Sequence, residues 1–147
     1  KAIELVSELY LKLVISIAHL IQSNSTIPRC EQNHFEASYS LWRDEFDYSI
    51  DWTQNSKSIV KFIDAVGYPY KGASTFVNNK KVRVISAEIC EDVMVEARNT
   101  HIGKVIFIDS NSPIIVCGEG LLKITHMVHE DSLEKVTNLP FRSRFLN

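Results

Sequence analysis

From Ala73 onward the chain changes character, and that change constrains its fold more than any other feature. Runs at Thr75–Val77, Val82–Cys90, Val93–Glu96, Lys104–Ile108, Ile114–Cys117 and Leu121–Met127 are dominated by strand-forming residues. Asn78-Asn79, Asp109-Ser110-Asn111-Ser112 and Gly118-Glu119-Gly120 punctuate them with residues that accept tight turns. Short strands joined this closely suit a small barrel or sandwich, and a barrel also removes exposed sheet edges. The tail from Asp131 is expected to hold one helical turn, then an extended segment lying on the barrel.

Upstream the pattern is helical, which makes the chain α+β. Ile3, Val6, Tyr10, Leu13, Ile17 and Leu20 recur at spacings of three and four, predicting a helix from Ala2 to Gln22. Leu5, Leu9 and Ile21 widen its apolar face, so the helix needs a sizeable packing partner. Glu4, Glu8, Lys12 and His19 interrupt it too often for a membrane span. The chain begins at Lys1, already inside this pattern and without an initiator Met, so a truncated domain is expected. Arg29 to Ile50 has no period but carries many aromatics, the mark of a functional rather than a filler segment. A second helix follows, with Thr53 as its expected cap, Ile59, Phe62, Ile63 and Val66 as its buried stripe, and Gly67 and Pro69 as its stop. Lys57, Lys61 and Asp64 belong to its solvent face.

The chemistry is sparse. A net charge of −2 argues against affinity built on phosphate neutralisation, so nucleic acid is not the expected partner. Lys80, Lys81 and Arg83 read as a solvated face, as do Arg142 and Arg144. Three widely spaced cysteines fit free thiols in a reducing compartment, with Cys90 and Cys117 as small core residues. His126 and His129, three apart on a strand, face opposite ways and make a poor metal pair. The acidic pairs Asp44/Glu45 and Glu91/Asp92 read as solvated rather than as an acid–base dyad. Two segments retain functional interest. Tyr39-Ser40-Leu41-Trp42-Arg43 offers aromatic stacking beside a guanidinium, or else Trp42 packs a helix–barrel junction and Arg43 pairs with Asp44 or Asp47. Gly67-Tyr68-Pro69-Tyr70-Lys71-Gly72 is a rigid turn with an exposed cation, or else a plain helix stop.

Ile50-Asp51-Trp52, then Ile59, then Phe62 through Ala73 with its Pro69-Tyr70-Lys71-Gly72-Ala73 turn, resembles the C-terminal region of the formyltransferase family. Ser38-Tyr39-Ser40-Leu41-Trp42-Arg43-Asp44-Glu45, Gly103 to Ile108, Pro113 to Gly118, Gly120 to Ile124 and Arg142 to Phe145 resemble the branch that formylates nucleotide-linked amino sugars. The resemblance spans Ser38 to Phe145.

That resemblance implies a helical lead-in followed by a small OB-like antiparallel β-barrel. It divides the chain into residues 1–28, the last helix of a Rossmann-like catalytic domain otherwise missing; residues 29–52, an aromatic-rich linker; and residues 53–147, a helix plus the barrel. The family's Asn, His and Asp and its His-x-Ser-Leu-Leu-Pro loop would lie in the missing N-terminal domain, so no catalytic residue is expected here and the chain alone is expected to be inactive. The whole enzyme would be cytoplasmic and move a formyl group from N10-formyltetrahydrofolate to a sugar amine on a nucleoside diphosphate. Tyr39, Trp42, Arg43, Tyr68, Tyr70 and Lys71 are the candidates for one wall of the nucleotide-sugar site. The apolar run Val105 to Val116 is a candidate for pairing two copies into a homodimer. The alternatives are the C-terminal domain of a methionyl-tRNA formyltransferase and a non-enzymatic OB-like binding or dimerisation module.

Overall fold

The computed structural model describes residues 2–147. Lys1 and the side chains of Ala2 and Ile3, the first member of the expected apolar stripe, lie outside the described residues. The chain divides into two compact units, Lys1–Leu41 and Trp42–Asn147.

In the first unit, α1 spans Ala2–Gln22, as its period predicts. Ser23 ends it by turning both its amide and its hydroxyl onto the His19 carbonyl, at 3.0 and 2.9 Å. Leu5, Val6, Leu9, Tyr10 and Leu13 are all exposed, so the broad apolar face is uncovered. The rest of the unit is irregular apart from one 3₁₀ turn at His34–Glu36, capped by Asn33.

In the second unit, α2 spans Ser56–Ala65. Ile59, Ile63 and Val66 are buried and Phe62 is half-buried, while Lys57, Lys61 and Asp64 face solvent, as their spacing predicts. The expected Thr53 cap is replaced. Asp51 captures the Thr53 hydroxyl at 2.6 Å and its amide at 3.0 Å, and Asn55 caps instead by accepting from the Ser58 amide at 2.8 Å.

Six strands form one antiparallel sheet: β1 (Ala73–Val77), β2 (Lys80–Cys90), β3 (Val105–Asp109), β4 (Ser112–Val116), β5 (Leu121–His129) and β6 (Phe145–Leu146). Their order is β3-β4-β5-β2-β1-β6. Asn78-Asn79 and Ser110-Asn111 sit at positive φ, the conformation that two-residue hairpins require. The β2–β5 ladder carries register shifts around Ser86, and the sheet curls. A Lys104–Arg144 bridge brings together the chain beside its two edge strands, with the Phe145 amide on the Gly103 carbonyl at 2.7 Å and the Val105 amide on the Ser143 carbonyl at 2.9 Å.

The structure differs from the expected pattern at two places. Val93–Glu96 forms no strand, because Arg98 takes the Val93 carbonyl at 2.9 Å and the Asp92 carboxylate at 2.6 Å. A short helix, α3 (Arg98–His101), follows it. The tail contains no helical turn, and its end joins the sheet as β6 rather than lying on it.

The core unites the sheet and α2 with residues that precede them: Ile50 and Trp52 are buried along with Val82, Val84, Ile115, Leu122 and Phe145. Trp52 donates to the Thr75 hydroxyl at 3.0 Å, Thr75 donates to the Leu146 carbonyl at 2.7 Å, and the Trp52 and Phe145 rings meet at 5.6 Å. Gly118 packs directly on the turn leading into α2, donating to the Trp52 and Gln54 carbonyls at 3.0 and 3.1 Å. Any Cβ there would overlap the Thr53 carbonyl. No described helix is long and apolar enough to cross a membrane.

Candidate functional site

The candidate site lies on the second unit, where three pieces of chain converge: the segment Trp42–Tyr48, the turn Tyr68–Lys71 after α2, and the first half of β2. The turn is fixed from both sides. The Tyr70 amide donates to the Gly67 carbonyl at 2.8 Å, and the Gly72 amide to the Val66 carbonyl at 2.9 Å. Gly72 sits at φ +86°, where a Cβ would press on Ile85, so the position belongs to glycine. Beyond it Ala73 is fully buried, and the intervening side chains of Tyr68, Tyr70 and Lys71 are left facing outward.

The 42–48 segment is folded by its own acids. Asp44 accepts from the amides of Phe46 and Asp47 at 2.8 and 3.3 Å, and Asp47 returns the contact to the Asp44 amide at 2.8 Å. This Asx geometry nucleates the 3₁₀ turn Phe46–Tyr48. It also occupies the two acids that were alternative partners for Arg43. Arg43 instead lies 4.8 Å from the Tyr70 ring and donates to the Ala65 carbonyl at 3.4 Å, at the negative end of α2. Trp42 is 100% exposed and packs no junction.

Of the six candidates from sequence, the structure brings Arg43, Tyr70 and Lys71 together around the α2 end. Trp42 and Tyr68 are exposed residues on those same two segments. Tyr39 is exposed as well, in the first unit.

A charge cluster adjoins them that the sequence reading treated as solvated. Arg83 is only 2% exposed. Its guanidinium binds both oxygens of Glu130, one oxygen of Glu45, and the Gly72 carbonyl at 3.2 Å, and lies 5.6 Å from the Tyr48 ring. Glu45 is further held by Lys81 at 2.7 Å and Lys71 at 3.4 Å. The Lys81 hydrogen bond, aided by Arg83, outweighs the loss of hydration and holds the Glu45 carboxyl at about 2, below its ordinary 4.5. For Arg83, burial opposes the charge, but Glu130 and Glu45 more than offset it and strengthen its hold on its proton.

Sequence reasoning therefore missed Glu45, Lys81, Arg83 and Glu130. The spacing of two between Lys81 and Arg83 was the available signal, since it puts both on one face of a strand. Their acidic partners were invisible to it. They stand 38 and 47 positions from Arg83.

A second feature is a cavity of about 270 Å³ lined by Ser49, Ile50, Asp51, Gln54, Ser58, Ile59 and Phe62. Its one carboxylate, Asp51, is committed to Thr53 and to the Gln54 amide at 3.1 Å. The Thr53 hydroxyl and the Gln54 amide hold that carboxyl below its usual range. Cys117 is buried, and burial pushes its thiol up to about 12. Cys90 is half-buried at the end of β2, and Cys30 is exposed.

Residues 44–135 match the formyl transferase C-terminal domain family. The chain belongs to that family. The Trp52 anchor and the Gly72 turn, which carried the resemblance in sequence, both lie within the matched residues.

Two methionyl-tRNA formyltransferases are similar to it. That of Syntrophomonas wolfei subsp. wolfei is 28% identical over 112 residues, covering 76% of this chain and 34% of the relative. That of Ralstonia nicotianae is 25% identical over 115 residues, covering 78% and 34%. The chain spans about a third of the length of these curated relatives. Among solved structures, HypX from Aquifex aeolicus superposes with a TM-score of 0.64 at 19% identity, over 87% of this chain and 22% of that one. HypX in complex with tetrahydrofolic acid superposes with a TM-score of 0.62 at 20% identity, over 89% and 22%. At such identities the likeness speaks for the fold alone.

Proposed function

We propose that this formyltransferase domain helps a folate-dependent N-formyltransferase hold its acceptor, a nucleotide-linked amino sugar. The observation that carries the reading is the Arg43–Tyr70 pair, with Trp42, Tyr68 and Lys71 exposed on the same two segments. Flat rings beside fixed cations suit a base and its phosphates. Tyr39 is a separate candidate in the first unit.

The donor in this reading is N10-formyltetrahydrofolate. The cavity beside α2 does not fit it: the lining is mainly apolar, and its one carboxylate is already committed to Thr53 and Gln54. The donor and the reacting Asn, His and Asp are accordingly assigned to an N-terminal domain of the parent enzyme, with α1 as the last helix of that domain. The Trp42–Asn147 unit then serves recognition and architecture, and is inactive alone. Its curled sheet, with bridged edges, supports an OB-like barrel. The parent enzyme is assigned to the cytoplasm.

A methionyl-tRNA acceptor is the second reading, favoured by the names of the two curated relatives. Against it stands the net charge of −2, which supplies no basic surface built to neutralise RNA phosphates. Formyl-transfer assays on the full-length protein, offering an amino-sugar nucleotide and methionyl-tRNA in parallel, decide between them. Turnover of the sugar nucleotide alone is expected. Turnover of the tRNA alone would establish the second reading.

A further inference from the structure

Glu45 sits in a cradle that holds more positive charge than it can use. Lys71, Lys81 and Arg83 converge on its carboxylate, and the other acid of the cluster among the described residues is Glu130, which takes Nε of Arg83 and shares its Nη2 with Glu45. Two features make Glu45 look like an occupant rather than a wall. Arg83 is buried and fixed by groups other than Glu45, namely Glu130, the Gly72 carbonyl and the Tyr48 ring. Glu45 itself belongs to a wholly exposed stretch, residues 42–47, tied to the domain through Arg43 and this carboxylate. Removing it would leave three cations facing one carboxylate, with the guanidinium already oriented. Such a site accepts an anion with several oxygens. The cradle also lies beside the rings, since Lys71 follows Tyr70 and Glu45 stands two positions after Arg43.

We propose that Glu45 is an internal stand-in for the ligand's phosphates, and that the Lys71–Lys81–Arg83 cradle binds the diphosphate of a nucleoside diphosphate when the 42–47 segment swings away. The identity of the ligand rests on the acceptor reading above; the cradle does not. In this arrangement Glu45 competes with the ligand for the three cations.

Calorimetric titration of sodium pyrophosphate into the full-length protein and its Glu45→Gln variant tests the cradle without any formyl transfer. The variant should bind about tenfold more tightly than the unmodified protein, since a like charge has left the site. Adding Lys71→Met to it should remove most of that gain. Equal affinities, or no binding by either protein, would overturn the proposal, as would an equal gain for a single-stranded polynucleotide. Should Glu45→Gln fail to fold, the unmodified protein still reports. Pyrophosphate should alter acrylamide quenching of the exposed Trp42, and unchanged quenching up to millimolar concentrations would count against the cradle. Sugar-nucleotide turnover with no pyrophosphate effect would sink this inference alone. The converse pattern would sink the acceptor reading alone.

Discussion

Trp52 and Trp42 are the chain's two tryptophans, and they live in opposite surroundings. Trp52 is 2% exposed, hydrogen-bonded to Thr75 and packed on Phe145. Trp42 is bare. Trp52 lies within residues 44–135, which match the family, and Trp42 lies just before them; only the Trp52 stretch is explained by folding. Ile50-Asp51-Trp52 fills the core and starts α2, and that physical need accounts for each of its residues. Nothing in the fold requires an indole at position 42. The proposed acceptor role gives that exposed aromatic a purpose that folding does not.

The largest test of this contrast removes the buried ring. Trp52→Ala should destabilise the domain by about 3–5 kcal/mol through the cavity and the loss of the indole's hydrogen bond to Thr75, measured by urea denaturation. A loss under about 1 kcal/mol would remove Trp52 from the architectural side. Gly118→Ala sharpens the same side, because its Cβ must displace the Thr53 carbonyl. A loss of about 2–3 kcal/mol is expected in the same assay.

Acid probes the boundary between the two regions. The folded Glu45 carboxyl titrates at about 2 against an ordinary 4.5. Its contribution is therefore complete above pH 4.5 and lost as pH falls from there toward 2, where the unfolded chain takes up the proton first. Thermal melts should show the unmodified protein losing more stability across that window than Glu45→Gln. Parallel curves would mean that the carboxylate is solvated. The smallest expected effect is that of Trp42→Ala on stability, within about 0.5 kcal/mol. A larger loss would bring Trp42 back among the packing residues.

Much of the fold was legible. The 3.6-residue period of α2 and the Asn-rich hairpin turns carry their structural reason in the local sequence. Val93–Glu96 misled because strand-forming residues were present without a neighbouring strand, and Arg98 claimed the backbone instead. Thr53 misled because Asp51 competed for its hydroxyl. At the site, Tyr70, Arg43 and Lys71 could be nominated from residue type alone. The Glu45–Arg83–Glu130 cluster could not, because tertiary folding assembles it from three distant segments.

The most direct test of the central claim is steady-state kinetics of the full-length enzyme carrying Trp42→Ala, with the amino-sugar nucleotide and the formyl donor varied separately. A role in holding the acceptor predicts a rise of about tenfold or more in the sugar-nucleotide KM, with the donor KM unchanged. Equal changes in both constants, or none in either, would contradict it.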